Sequence, residues 1–115
     1  MRILSGMQPS GNPHLGNYLG AMKQHIDLQE GNECFYFIAN YHALTTVRDG
    51  QKLRNMSFEL AVDYLALGLN PEKTAFFRQS DVPEVTELAW IFNCLTPMGL
   101  LERCHAWKDA KSNGK

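Results

Sequence analysis

No stretch of this sequence approaches the roughly 20 apolar residues needed to cross a bilayer, and its N-terminus lacks the form of a secretory signal. A membrane protein is therefore not expected, and a cytoplasmic one is. Cysteine is scarce: Cys34, Cys94 and Cys104 are odd in number, widely spaced and without a C-x-x-C pair. That excludes a zinc ribbon or a disulfide framework and leaves buried free thiols in a reducing compartment as the expectation. An excess of charge of one sign is also lacking, since 11 basic residues face 12 acidic ones for a net charge of −1. A broad basic field that grips a polyanion is thus excluded, and any main nucleic-acid contacts are expected elsewhere. Repeats and low-complexity tracts are absent. So are the G-x-x-x-x-G-K-[ST] and G-x-G-x-x-G phosphate loops.

What is present is the composition of one globular domain: 115 residues, 44% apolar and 20% charged. Arg2-Ile3-Leu4-Ser5 suits a short buried strand, and a Gly-, Pro-, Ser- and Asn-rich loop follows over Gly6 to Pro13. Leu15, Leu19, Met22 and Ile26 recur at helical spacing, which predicts a helix ending near Glu30-Gly31-Asn32. The unbroken run from Cys34 to Ala39 suits a central strand buried on both faces. A second helix is predicted from about Gln51 to Leu67, with Leu53, Met56, Leu60, Tyr64 and Leu67 on one side and Gly68 as its terminator. Ala75 to Arg78 follows as a third strand. Ser80-Asp81 offers caps for a helix from about Pro83 to Cys94, another helix covers roughly Met98 to Trp107, and Lys108 to Lys115 reads as a loop. The fold class is α/β: the first half of a Rossmann-like parallel sheet in the order β-α-β-α-β-α.

In open α/β sheets ligands bind beyond the carboxyl ends of the strands, and the first strand-to-helix loop is the usual phosphate site. Here that loop carries Gln8, Pro9, Ser10, His14, Gly16 and Asn17. An imidazole at a helix start can donate to a phosphate oxygen beside free backbone N–H groups. A glycine lets a flat base lie on the backbone, and amide side chains donate or accept. Connectors of this composition are also ordinary, and a lone histidine at a helix start is often structural. The residues by themselves leave nucleotide binding and a plain connector equally open.

Ser5-Gly6-Met7-Gln8-Pro9-Ser10-Gly11 followed by His14-Leu15-Gly16-Asn17-Tyr18-Leu19-Gly20-Ala21 resembles the N-terminal signature of the tryptophanyl-tRNA synthetases. His14-Leu15-Gly16-Asn17 is similar to their variant of the class I H-I-G-H motif. Asn40-Tyr41-His42-Ala43-Leu44-Thr45, Gln79-Ser80-Asp81-Val82-Pro83, Gly99-Leu100-Leu101-Glu102-Arg103 and Lys108-Asp109 resemble later segments of the same family.

The resemblance implies a tryptophan–tRNA ligase that activates L-tryptophan with ATP, with Mg2+ expected and no tightly bound protein-ligated metal, and then charges tRNA(Trp). It also implies a homodimer with no membrane partner. His14 and Asn17 are then catalytic. Gln8, Pro9, Ser10, Gly16 and Asn17 line the ATP site, and Leu4, Gly6 and His42 line the tryptophan side. Residues 1–115 are expected to be the N-terminal part of the catalytic domain. The rest of that domain, the K-M-S-K-S loop and the anticodon-binding domain lie outside this chain, which is expected to be inactive by itself.

Two departures stand out: Asn40 replaces the family's usual Asp, and Ala110 interrupts a Lys-acid-Lys run, leaving Lys111 displaced by one. A small nucleotidyltransferase with an H-x-G-H-like loop is an alternative, as is a non-catalytic dimerising nucleotide-binding module. Trp90 and Trp107 are expected in the core rather than on a base-stacking surface. His25, Lys23 and Arg54 are expected on helix exteriors.

Overall fold

Three strands, β1 (Arg2–Met7), β2 (Glu33–Ile38) and β3 (Thr74–Arg78), pair in parallel in the order β1-β2-β3 in the computed structural model, which describes residues 1–114. The register aligns Gly6 with Phe37 and Phe37 with Phe77. Because side chains alternate along a strand, Ser5, Met7, Cys34, Tyr36, Ile38, Thr74 and Phe76 face one way, and Leu4, Gly6, Phe35, Phe37 and Phe77 face the other. The first face is closed by helices and carries the core of Met22, Cys34, Tyr36, Ile38, Leu60, Tyr64 and Leu69. On the second face Leu4 is 69% exposed, while Phe35 and Phe37 are half-buried. The expectation of a central strand buried on both faces therefore holds on one face only.

The first crossover is helical over 15–28 but not uniform. A turn of α-helix, α1 (Leu15–Asn17), leads into a π-helical segment (Tyr18–Met22) and then α2 (Lys23–Leu28). A π-bulge acts as one residue inserted into an α-helix, so residues before it rotate by about 100° relative to those after it. This is why Leu15 and Leu19 are exposed whereas Met22 and His25 are buried. The expected stripe loses its first two members, and His25, expected outside, is a core residue. Gly31 takes φ +75 where the chain leaves α2.

After β2 a short helix, α3 (Asn40–Ala43), turns the chain, and α4 (Gly50–Ala66) crosses back over the sheet. The Asp49 side chain accepts from the backbone N–H groups of Gln51 and Lys52, which satisfies two donors of the first turn. Leu53, Ser57, Leu60 and Tyr64 form its buried face, and Gly68 ends it at φ +109. Such a φ disfavours any side chain.

The chain divides into two compact units, Met1–Val82 and a second from Pro83. The second is helical: α5 (Glu84–Leu95), α6 (Met98–Leu101) and α7 (His105–Ser112). Ser80 and Asp81 do not cap α5, whose N-cap is Pro83. The predicted helix over 98–107 is broken at Cys104, whose backbone is extended. The tail from Lys108, expected as a loop, is helical to Ser112. Trp90, Trp107, Cys94 and Cys104 are exposed rather than buried, and only Cys34 is a buried thiol.

Candidate functional site

His14 ends the loop after β1, and its ring folds back over the helix start. Its Nδ1 accepts from the N–H of Gly16 at 3.1 Å and of Asn17 at 3.3 Å, and the Asn17 side-chain oxygen accepts from the N–H of His14 at 3.0 Å. This reciprocal cap has a chemical consequence. A nitrogen that accepts two N–H bonds carries no proton, so the ring's proton sits on Nε2 and is free to be donated. The backbone donors of Gly16 and Asn17 are already used by the imidazole. The side chain, rather than the bare helix terminus, is what the loop offers to an anion.

Gly16 is exposed, but a Cβ there would lie 2.9 Å from Cε1 and 3.0 Å from Nδ1 of His14. The glycine makes room for the ring. Gly6 is explained in the same way: a Cβ would stand 2.5 Å from the Phe37 ring. In the loop between them Pro9 is fully buried, Gln8 is half-buried and Ser10 is exposed.

On the neighbouring strands, side chains pair across the carboxyl ends of β2 and β3. Asn40 donates through Nδ2 to the Ser80 hydroxyl at 2.8 Å and accepts from the Ser80 N–H at 3.1 Å. His42 donates through Nδ1 to the side-chain oxygen of the buried Gln79 at 3.1 Å. The exposed ring therefore presents Nε2 as an acceptor. A 3-10 turn (Gln79–Asp81) holds these partners. Asp81 accepts from the backbone and guanidinium of Arg78, the latter at 2.6 Å, and this ion pair holds the carboxyl below its ordinary pKa. Asn40 thus organises the second loop as a two-way amide, using a donor that an aspartate lacks. The roles of Gln79 and Ser80 as supports were visible in sequence only as part of a motif, because their partners lie about 40 positions away.

Two cavities flank α4. One of about 660 Å³ is lined by Asn12, His14, Tyr18, Glu59, Asp63 and Leu67 among others. Its two carboxylates, Glu59 and Asp63, suit a triphosphate poorly. The other, about 560 Å³, includes Ile38, Asn40, Arg54 and Arg78 at the strand ends. Leu4, Gly6, Gln8, Pro9, Ser10, Gly16, Asn17 and His42 line neither cavity. Leu4 and Gly6 belong to the open face of the sheet and His42 to the short helix after β2, while Pro9, expected to line the ATP site, is packed inside and offers no surface to a ligand.

Residues 1–115 match the family described as tRNA synthetases class I (W and Y). The chain belongs to this family. It is 62% identical over 114 residues to the tryptophan–tRNA ligase of Rhodopirellula baltica, covering 99% of this chain and 36% of that protein. Its structure is similar to that of the Campylobacter jejuni tryptophanyl-tRNA synthetase complexed with ADP and tryptophan, with a TM-score of 0.88 and 54% identity over 99% of this chain and 36% of that one. A tyrosyl-tRNA synthetase from Archaeoglobus fulgidus matches less well, at a TM-score of 0.62 and 27% identity over 71% of this chain and 26% of that one. Within the class I synthetases, then, likeness runs to the tryptophan branch. The chain spans about a third of the length of the curated relatives it matches. No described helix is long and apolar enough to cross a membrane.

Proposed function

We propose that this chain is the N-terminal part of the catalytic domain of a tryptophan–tRNA ligase, which joins L-tryptophan to AMP with release of pyrophosphate and then transfers it to tRNA(Trp). The observation that carries the reading is the His14 cap, which leaves one N–H donor, Nε2, at a loop whose residues match the family throughout.

In the first step the carboxylate of tryptophan attacks the α-phosphorus and the bond to the pyrophosphate oxygen breaks. Charge on the leaving phosphates grows, and a donor held in place needs no reorganisation to meet it. His14 supplies that donor through Nε2, and Asn17 fixes the cap. Gln8, Ser10 and Gly16 form the surface against which ATP lies, with the buried Pro9 holding the loop from beneath and Mg2+ accompanying the phosphates. Leu4, Gly6 and His42 face the amino acid. The accompanying partners are a second copy of the protein, for which the exposed apolar side chains of α5 and α6 are suited, and tRNA. The compartment is the cytoplasm. The match along the whole chain leaves the nucleotidyltransferase alternative without support.

The test is tryptophan-dependent exchange of pyrophosphate into ATP by the gene product that carries this chain. Exchange is expected from the longer protein and not from residues 1–115 alone; equal rates from both would refute the division of labour. His14→Ala in the longer protein is expected to lower kcat by roughly 10²-fold, the scale for losing one donor to developing charge, with little change in tryptophan KM.

A further inference from the structure

His25, on α2, is 7% exposed and lies against three other elements. Its ring stacks on Tyr36 of β2 with centroids 4.4 Å apart and on Tyr64 of α4 at 5.9 Å. Nε2 is 2.9 Å from the Ser5 hydroxyl of β1, and Nδ1 is 2.8 Å from the Tyr64 hydroxyl. The Tyr64 hydroxyl also lies 3.6 Å from the sulfur of Met7, a weak acceptor. The Ser5 and Tyr64 hydroxyls can each donate or accept, so either neutral tautomer of His25 completes a relay in which one ring nitrogen donates and the other accepts. The relay leaves β1 at Ser5 and returns to it at Met7, and Gly6 lies between the two. Gln8, the start of the ATP-facing loop, follows directly.

We propose that His25 is a positioning residue of the active site, which through Ser5, Tyr64 and Met7 holds the end of β1 and thereby sets Gly6 and the Gln8–Ser10 loop against their substrates. This rests on the function proposed above. A hydrophobic side chain at position 25 would fill the space but leave the Ser5 and Tyr64 hydroxyls without their imidazole partner, so the strand end would be gripped by backbone bonds alone. The groups that face the ring are Ser5, Tyr36 and Tyr64, and Tyr36 donates in turn to the Cys34 sulfur. No carboxylate is among these neighbours to offset a charge on the ring. Protonation would make both ring nitrogens donors and remove the hydrogen bond that the neutral ring accepts, and burial holds the pKa below its ordinary value of 6.5.

The experiment uses the longer protein with His25→Phe, Tyr64→Phe and the double variant, and His25→Gln as the conservative replacement. Pyrophosphate exchange at pH 7.5 is expected to show a tryptophan KM raised several-fold in His25→Phe, partial recovery in His25→Gln, and a double variant no worse than the worse single one, because coupled residues are non-additive. The wild type is expected to lose kcat/KM as pH falls below about 6.5, an inflection missing from His25→Phe. Unchanged constants in folded His25→Phe, or strictly additive losses, would overturn the proposal. A second measurement serves if the variants do not fold or if the wild type shows no exchange at all. Nitrogen NMR of the wild-type protein should find His25 as one neutral tautomer at pH 7.5, with the Gly6 amide shifting as that ring titrates. A rapidly exchanging mixture of tautomers, or a Gly6 amide indifferent to His25, would refute the role; absence of exchange with the expected spectra would instead remove the ligase reading and leave the clamp on β1 standing.

Discussion

Gly16 and His14 act as one unit. Gly16→Ala would drive a methyl group into the imidazole that makes the helix cap, so its effect should appear in the chemistry of the histidine rather than in backbone strain. The expected outcome is a loss of exchange of roughly ten-fold, in kcat more than in tryptophan KM, approaching the loss from His14→Ala. A normal kcat in folded Gly16→Ala would show that the ring can leave the cap without consequence. The same scale explains Asn40. Replacing it by Asp exchanges an amide donor for an acceptor, while both Ser80 groups it touches, the hydroxyl and the N–H, can donate to a carboxylate. Asn40→Asp should therefore fold normally, with a melting temperature within a few degrees of the parent, corresponding to well under about 1 kcal/mol. The motif residues were legible one by one, but the pairing of Asn40 with Ser80 and of His42 with Gln79 spans 40 and 37 positions. No local pattern carries such pairs.

At the scale of elements, α4 was readable at both ends because its stop signals are local. Asp49 caps the first turn, and Asp49→Ala should lower the midpoint of urea denaturation. The backbone N–H bonds of Gln51 and Lys52 hold the Asp49 carboxyl below its ordinary pKa. That stability is present at neutral pH and is lost as the pH falls into the acid range where the carboxyl protonates. The first crossover was less readable. Its apolar spacing fits an uninterrupted α-helix, and the π-helical segment shifts the phase in its middle. The shift puts His25 inside, where burial lowers its pKa. The unfolded chain takes up a proton near 6.5 while the folded chain resists until lower pH, so stability present above 6.5 is lost as the pH falls from there. His25→Phe should flatten that slope between pH 7 and 5, whatever it does to activity. An unchanged slope would place the titrating group elsewhere.

For the molecule as a whole, the sheet is closed by helices on one face and open on the other, and the second unit exposes Val85, Leu88, Trp90, Ile91, Phe92 and Leu95 along a single helix. So much apolar surface on α5 favours association. The chain is expected to sediment above its monomer mass of 13.0 kDa, and Trp90→Lys together with Ile91→Lys should shift it toward the monomer. A strictly monomeric wild type at micromolar concentration would contradict this. The sequence alone placed Trp90 and Trp107 in a core because aromatic residues are usually buried, a rule that presumes the chain carries everything that covers them.

The order of strands and helices, the glycine stops after α2 and α4 and the histidine-glycine loop were determined by the sequence alone, because propensity and turns act within a few residues. The ring hydrogen bonds of His14, His25 and His42, the inward turn of His25, the reason for glycine at positions 6 and 16, and the division between a closed and an open sheet face were decided only in the tertiary structure. Each depends on which groups meet across the sheet, and a hydrogen bond or a steric contact between distant residues exists only once the backbone has brought them within about 3 Å.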